Sequence, residues 1–406
     1  MMNLAYGVGI DGLALQTGLS PVIDRPDRRM SLLRRAYHHF GRPRFKGSTG
    51  RAIMDLLGEW WTAEVANLRE WRMATPRILG TYFGEDELSE AACIALYIHY
   101  APGDGVSAMV LRQLEEYRAL GFTIILVTMS KELGAAEIAQ LKRVTAQIVH
   151  RRNFSFDFGA WHDIASLVPT LAPDANELLL VNDSVCGPLH RLHSTVNDMR
   201  AQGEGLFGLT ENLAPRPHLQ SYFLLVRGTG VISDVVEFLL RFRPTAYKRG
   251  VIRRGEVRLT SWIRKRGHVV AAVYGYEAVE WIALHRPRTL QRLRSLFPAI
   301  AYAATREEWH DKLRTLPLNP THSLWYELVD DCGFPFLKTD LLSRNPIGIP
   351  DLMDWGDLIP SEHPELRLLI EEHLDQFEKD GQANQGGDPV AGCVPPRGWR
   401  RAHNCA

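Results

Sequence analysis

The chain has 406 residues, with 47 basic and 47 acidic side chains, no formal net charge and 45% hydrophobic residues. That is enough chain for one large domain or two ordinary ones, and the even charge balance excludes a general polyanion binder, so no nucleic-acid partner is expected. The five cysteines (Cys93, Cys186, Cys332, Cys393, Cys405) are odd in number and lack a C-x-x-C pair, which speaks against a disulfide framework or a zinc site.

No run reaches about 18 apolar residues, and the N-terminus lacks the marks of a signal peptide, so a cytoplasmic location is expected. Gly7-Val-Gly9-Ile-Asp-Gly12 spells G-x-G-x-x-G. It has no solid strand before it and only a poor helix after it, so a leader is expected there, not a dinucleotide site. Residues 25–46 carry Arg25, Arg28, Arg29, Arg34, Arg35, Arg42, Arg44 and Lys46 against Asp27. This is either a patch for an anionic membrane surface or a solvated basic face. Residues 51–73 have helical apolar spacing, with Trp60, Trp61 and Trp71 read as packing anchors. Residues 1–90 are thus expected to form a basic, helical N-terminal extension.

From residue 91 the pattern becomes strand, helix, strand. Cys93 to Tyr100, Phe122 to Thr128 and Ala146 to His150 are apolar strands, separated by helices over 106–120 and 131–142. That alternation predicts a parallel, doubly wound unit with its strand tips along one edge. After the third strand, Asn153 and Asp157 flank aromatic residues, and Gly159 would permit close backbone approach to a ligand. The helix predicted over 160–168 would offer its N-terminal amides to a phosphate, or else Asp157 simply caps it.

The run Leu178 to Val181 reads as a strand buried on both faces, ending at Asn182-Asp183-Ser184. Ligands bind at such carboxyl ends in open α/β sheets, and Asp183 suits a divalent cation or a sugar hydroxyl; a plain turn is the other reading. His190 and His193, on a predicted helix from Leu189 to Gln202, are read as surface histidines. A long strand from His218 to Arg227 starts with crowded polar groups, His218, Gln220 and Ser221. Residues 241–266 are densely basic, including Arg254, around a single acid, Glu256, which nearby cations should keep ionised. Such a segment could steady a diphosphate leaving group, or else is simply a solvated basic helix. Residues 269–274 give a last strand, a C-terminal helix is expected over 351–376, and 377–406 reads as a disordered tail.

Several segments together resemble the rhamnan-synthesis F family of bacterial polysaccharide glycosyltransferases. They are Arg152-Asn153 with Asp157-Phe-Gly159-Ala-Trp161, Asn182-Asp-Ser-Val-Cys-Gly-Pro188, His218-Leu-Gln-Ser-Tyr-Phe223 and Glu256-Val-Arg-Leu-Thr260. Asn319-Pro-Thr, Trp325 and Pro335-Phe-Leu-Lys338 before Asn345-Pro346 are similar to the family's C-terminal pattern, so the likeness runs from about 93 to 346. The resemblance implies a GT-A-like, Rossmann-type, mostly parallel sheet flanked by helices, forming a glycosyltransferase domain over 91–350.

It further implies a nucleotide-diphosphate-sugar donor, with dTDP-L-rhamnose indicated by the family's association with rhamnose glycans. The acceptor would be a growing or lipid-linked glycan at the cytoplasmic membrane face. By analogy the segment Tyr97 to Tyr100, including His99, and the segment Asn153 to Asp157 would hold the nucleotide. Asn182-Asp183-Ser184 would stand where such enzymes carry a D-x-D metal motif. Only one carboxylate is present there, so Mg or Mn would rest on Asp183 alone, or the basic segment 241–266 would replace its charge. Glu256 is the candidate base for an inverting transfer, with His218, Gln220 and Ser221 at the donor–acceptor junction. Two other readings stay open: a non-catalytic membrane-peripheral scaffold of polysaccharide assembly, and a Rossmann-type NAD- or S-adenosylmethionine-dependent enzyme. Ala101-Pro102, where a glycine-rich turn would stand, speaks against the latter.

Overall fold

The computed structural model describes residues 19–22, 49–73, 76–101, 105–297, 301–315 and 317–383. The glycine motif at 7–12, the basic segment 25–46 and the tail beyond Ala383 lie outside the described residues.

Strands rich in β-branched and leucine side chains build one large sheet. They are β1 (Ser20–Pro21), β2 (Ile78–Phe83), β3 (Cys93–His99), β4 (Thr123–Thr128), β5 (Gln147–Arg151), β6 (Glu177–Asn182), β8 (Gly205–Asn212), β10 (Phe223–Arg227) and β11 (Val269–Tyr274). Their order across the sheet is β1-β11-β8-β10-β6-β3-β4-β5-β2, with β9 (His218–Leu219) paired to β8 off that path. The contiguous strands β6, β3, β4 and β5 pair in parallel, as do β8 and β11. Strand β10 is inserted antiparallel between β6 and β8. A second, two-stranded sheet joins β7 (Val185–Cys186) to β12 (Leu337–Lys338).

The helices used below are α1 (Thr49–Arg72), α2 (Ala108–Ala119), α3 (Ala135–Lys142), α4 (Phe156–Ile164), α5 (His193–Ala201), α6 (Thr229–Leu240), α7 (Lys248–Arg254) and α8 (Glu256–Lys265). Both faces of the sheet are covered. On β3, Ala95 and Tyr97 pack into one core with α2, while Ile94, Leu96 and Ile98 pack into the other with α4 and α6. Alternate side chains of a strand point to opposite faces, which is why a strand buried on both sides is apolar throughout. The expected mixed α/β architecture, a mostly parallel sheet between helices, is therefore present.

Several local expectations change. The segment before residue 90, expected to be helical, also supplies strands: β2 pairs antiparallel with β5, and β1 with β11. The helix expected at 160–168 begins at Phe156, because Ser155 and Phe156 take left-handed backbone angles (φ 66° and 53°) that turn the chain early. Asp157 thus lies in its first turn and not at its cap. The long strand expected from His218 to Arg227 is split, since Leu219 N donates to Thr260 Oγ1 (3.1 Å) and Gln220 N to Thr210 O (3.1 Å) before β10 starts. The helix expected from Leu189 starts only at His193. The C-terminal helix runs over Glu365–Ala383, past the expected boundary at 376.

Candidate active site at the strand tips

Strand β6 is buried along its whole length, and the chain breaks out of it at Asn182 and Asp183. A continuous series of hydrogen bonds starts here and joins seven side chains. Lys338 Nζ donates to Ser184 Oγ (2.9 Å), which donates to Asn182 Oδ1 (2.5 Å). Asn182 Nδ2 donates to Asp157 Oδ2 (3.1 Å), and Ser221 Oγ lies 2.8 Å from the same oxygen. Ser221 Oγ is also 2.8 Å from Glu256 Oε1, and Glu256 Oε2 is 3.2 Å from His218 Nε2. His218 Nδ1 ends the series 2.7 Å from the Arg216 carbonyl.

Each member is placed by local structure. Gly255 lets the chain enter α8 against the Phe158 ring, where a Cβ would lie 2.5 Å from Phe158 Cδ2, and so brings Glu256 beside α4. The break between β9 and β10 presents Ser221. The two-residue pairing of β7 with β12 sets Val185 opposite Lys338, and Thr339 N bonds to Ser184 O (3.1 Å). Gly187 is held close to this clasp, its would-be Cβ only 2.7 Å from Pro335 O at a φ of +124°. Asp183 stands next to the series, with Oδ2 accepting the Tyr100 backbone N–H (2.5 Å). The Lys338 ammonium lies 4.3 Å from the centre of the Tyr222 ring, a cation–π contact.

Proton placement follows from this geometry. A carbonyl only accepts, so His218 Nδ1 carries a hydrogen, and Nε2 can donate to Glu256 only as a doubly protonated imidazolium. Ser221 has one hydroxyl hydrogen facing two carboxylates, so both contacts are satisfied together only when one of the two is itself protonated. Burial pushes Asp157 up to about 6, aided by the nearby Glu256 charge. Burial likewise pushes Asp183 up to about 7, partly offset by the Tyr100 N–H. Glu256 behaves oppositely. Burial would raise it, but the His218 and Ser221 contacts and the Lys338 charge more than compensate and hold it below the usual range. Lys338 is lowered by burial to about 8, against the raising effect of Glu256. Carboxylates whose environments push their acidities apart are what divided acid and base roles require.

The sequence-derived residues divide accordingly. Asp157, Asn182, Ser184, His218, Ser221 and Glu256 belong to one network, with Asp183 and the Tyr100 amide against it. Gln220 adjoins it, bonding Thr210 Oγ1 (2.7 Å) and reaching Asn319 and Thr321 at 3.5 Å. His99 does not join: it is buried, 3.0 Å from Thr128 Oγ1, and burial lowers it to about 3. Trp161 is a core residue whose Nε1 donates to Leu96 O (3.2 Å). The close approach at Gly159 is internal, since a Cβ there would sit 2.5 Å from the Phe154 carbonyl. Asn153 and Arg254 are exposed. Much of the basic segment faces elsewhere: Arg266 pairs with Asp234 (2.7 Å), Arg241 with Glu237 (2.6 Å) and Arg249 with Glu59 (3.6 Å).

A cation within the site is Lys338, to which sequence reasoning gave no role although it stands in the Pro335-Phe-Leu-Lys338 pattern. Among the described residues no three His, Cys, Asp or Glu side chains converge as a metal site. A single carboxylate still fits an Mg or Mn ion that draws its remaining ligands from substrate phosphates and water.

One comparison concerns the middle of the chain. Residues 124–287 match the rhamnan synthesis protein F family. The matched span contains Asp157, Asn182, Asp183, His218, Ser221 and Glu256, and ends before Lys338. Virulence protein VirA of Vibrio anguillarum is 27% identical over 213 residues, 50% of this chain and 64% of that protein. Uncharacterized protein y4gN of Sinorhizobium fredii is 26% identical over 230 residues, 55% of this chain and 58% of that protein. The chain thus spans about three fifths of these relatives' lengths. Among solved structures, the mannosyltransferase PcManGT of Pyrobaculum calidifontis, in complex with GDP-Man and Mn2+, is similar at 10% identity and a TM-score of 0.29, over 83% of this chain and 87% of that one. Staphylococcus aureus TarS 1-349 gives 12% identity and a TM-score of 0.23, over 73% and 92%. At those TM-scores the description of the fold rests on the sheet itself.

Proposed function

We propose that this chain is a nucleotide-sugar glycosyltransferase of GT-A-like fold, passing a sugar to a growing or lipid-linked cell-surface glycan with inversion at the anomeric carbon. The observation that carries the reading is the hydrogen-bond series from Lys338 to His218 at the carboxyl edge of β6, within and beside a span matching rhamnan synthesis protein F. The family's name supports L-rhamnose as the sugar transferred, with dTDP-L-rhamnose as its donor.

In this reading Glu256, held ionised and steadied by His218, accepts the proton of the acceptor hydroxyl. When Asp157 is ionised the Ser221 hydroxyl can turn to it, which frees Glu256 Oε1 for the acceptor. Asp157 and Asp183, raised towards neutrality, carry less charge against an incoming diphosphate than free carboxylates would. Lys338 offers the complementary positive charge to the leaving diphosphate. A divalent ion arriving with the donor would be held by Asp183 and would supply further neutralisation of the diphosphate.

The test is nucleotide release by the purified chain across a panel of nucleotide-sugars with a glycan acceptor. Turnover of dTDP-L-rhamnose is expected, and Glu256→Gln should lower kcat by roughly 10²-fold or more, the usual contribution of a positioned base. A wild-type rate in that variant removes Glu256 from the role. Equal rates with and without chelator remove the metal from Asp183.

A further inference from the structure

Helix α1 carries an apolar stripe left exposed among the described residues. Leu57, Trp60, Trp61, Leu68 and Trp71 follow helical spacing, within about 100° of the helix circumference, and are 54%, 48%, 66%, 54% and 81% exposed. Only Glu64, half-buried, interrupts that line. The tryptophans expected to be packing anchors therefore point away from the body. A different face of the helix makes the contacts. Ala63 is buried, Asn67 donates to Thr245 Oγ1 (3.3 Å) and accepts from Ala246 N (2.8 Å), and Glu70 pairs with Arg77 (2.8 Å) and Arg152 (3.0 Å).

The charges beside this stripe are mostly positive. Arg69 and Arg72 are exposed on α1 itself. An exposed patch of this kind marks an interaction surface. Two occupants fit an apolar face, a lipid surface or a second copy of the chain. The exposed Arg69 and Arg72 favour the first, since an anionic bilayer complements them. Tryptophan's apolar ring and N–H donor also suit the head-group region.

We propose that α1 docks the protein on an anionic lipid bilayer, with Trp60, Trp61 and Trp71 seated at the head-group boundary and Arg69 and Arg72 on lipid phosphates. This deepens the proposed function by placing the site beside a lipid-linked acceptor, but it uses none of the site's residues and is measured without donor or turnover. It can fail while the transferase reading stands.

The experiment is co-sedimentation of the full chain with phosphatidylcholine vesicles, with and without about 30% phosphatidylglycerol, alongside tryptophan emission. Salt-sensitive binding to the anionic vesicles with a blue shift is expected. A Trp60→Ser, Trp61→Ser, Trp71→Ser variant should bind on the order of tenfold more weakly with an unchanged urea midpoint, because exposed side chains contribute little to folding. Arg69→Gln with Arg72→Gln should reduce the preference for phosphatidylglycerol. Absence of vesicle binding, or undiminished binding by the tryptophan variant, overturns the proposal. So does concentration-dependent dimerisation that the tryptophan variant abolishes while vesicles bind neither protein.

Discussion

Asp183→Asn separates what the strand-tip carboxylate does for chemistry from what it does to stability. Burial moves the Asp183 carboxyl from its ordinary 3.8 to about 7. Each unit is worth about 1.36 kcal/mol, so an ionised Asp183 costs the folded state at most roughly 4 kcal/mol above pH 7. Because the folded value is the raised one, the native state keeps its proton where the unfolded chain has lost it. The contribution of this group to stability is therefore fully present below about pH 4 and is lost as the pH climbs from about 4 to about 7. Asparagine keeps a carbonyl oxygen for the Tyr100 N–H and carries no charge, which removes this slope. Relaxation and water entry reduce the full figure, and a gain of roughly 1–3 kcal/mol at pH 8 is expected for the variant. Urea denaturation at intervals from pH 4.5 to 8 measures it, with nucleotide-sugar turnover in parallel. The variant should be more stable at pH 8, converge on wild type towards pH 4, and lose activity. A variant that is less stable at pH 8, or a difference that does not change with pH, refutes the reasoning.

Two further outcomes follow from neighbouring residues. Lys338, lowered by burial to about 8, should lose its charge as the pH rises through that value, so kcat/KM for the donor should fall on the alkaline side. Lys338→Arg, charged throughout, should move that limb to higher pH, and an unmoved pH profile would remove Lys338 from the donor site. Gly255→Ala would press a methyl group into the Phe158 ring, with an expected loss of about 1–3 kcal/mol in urea and a fall in kcat as Glu256 is displaced. Destabilisation with kcat intact would place Glu256 outside the chemistry.

The parallel strands were legible because their signal is local. A strand covered on both faces must be apolar at every position, and Leu178 to Val181, Thr123 to Thr128 and Cys93 to His99 are nearly so. The polar break at Asn182-Asp183-Ser184 marked the strand tip for the same reason. Strand β2 was missed because an edge strand is half-exposed, and its alternation over Ile78–Phe83 is short. The early start of α4 depends on two left-handed residues that propensity does not announce. The exposed face of α1 was misread because helical spacing reports which residues share a face, not whether another element covers it.

The sequence by itself determined the α/β alternation, the strand-tip position of Asp183 and the isolation of Glu256 among cations, since each depends on neighbours within one element. Only the tertiary structure decided which of the named residues meet. Ser221 lies between Asp157 and Glu256 because the chain breaks between β9 and β10 and because Gly255 admits α8 against Phe158. Lys338 reaches Ser184 because the short strands β7 and β12 pair across about 150 residues of chain. Contacts at that separation depend on how whole elements pack, and no periodicity within one segment records them.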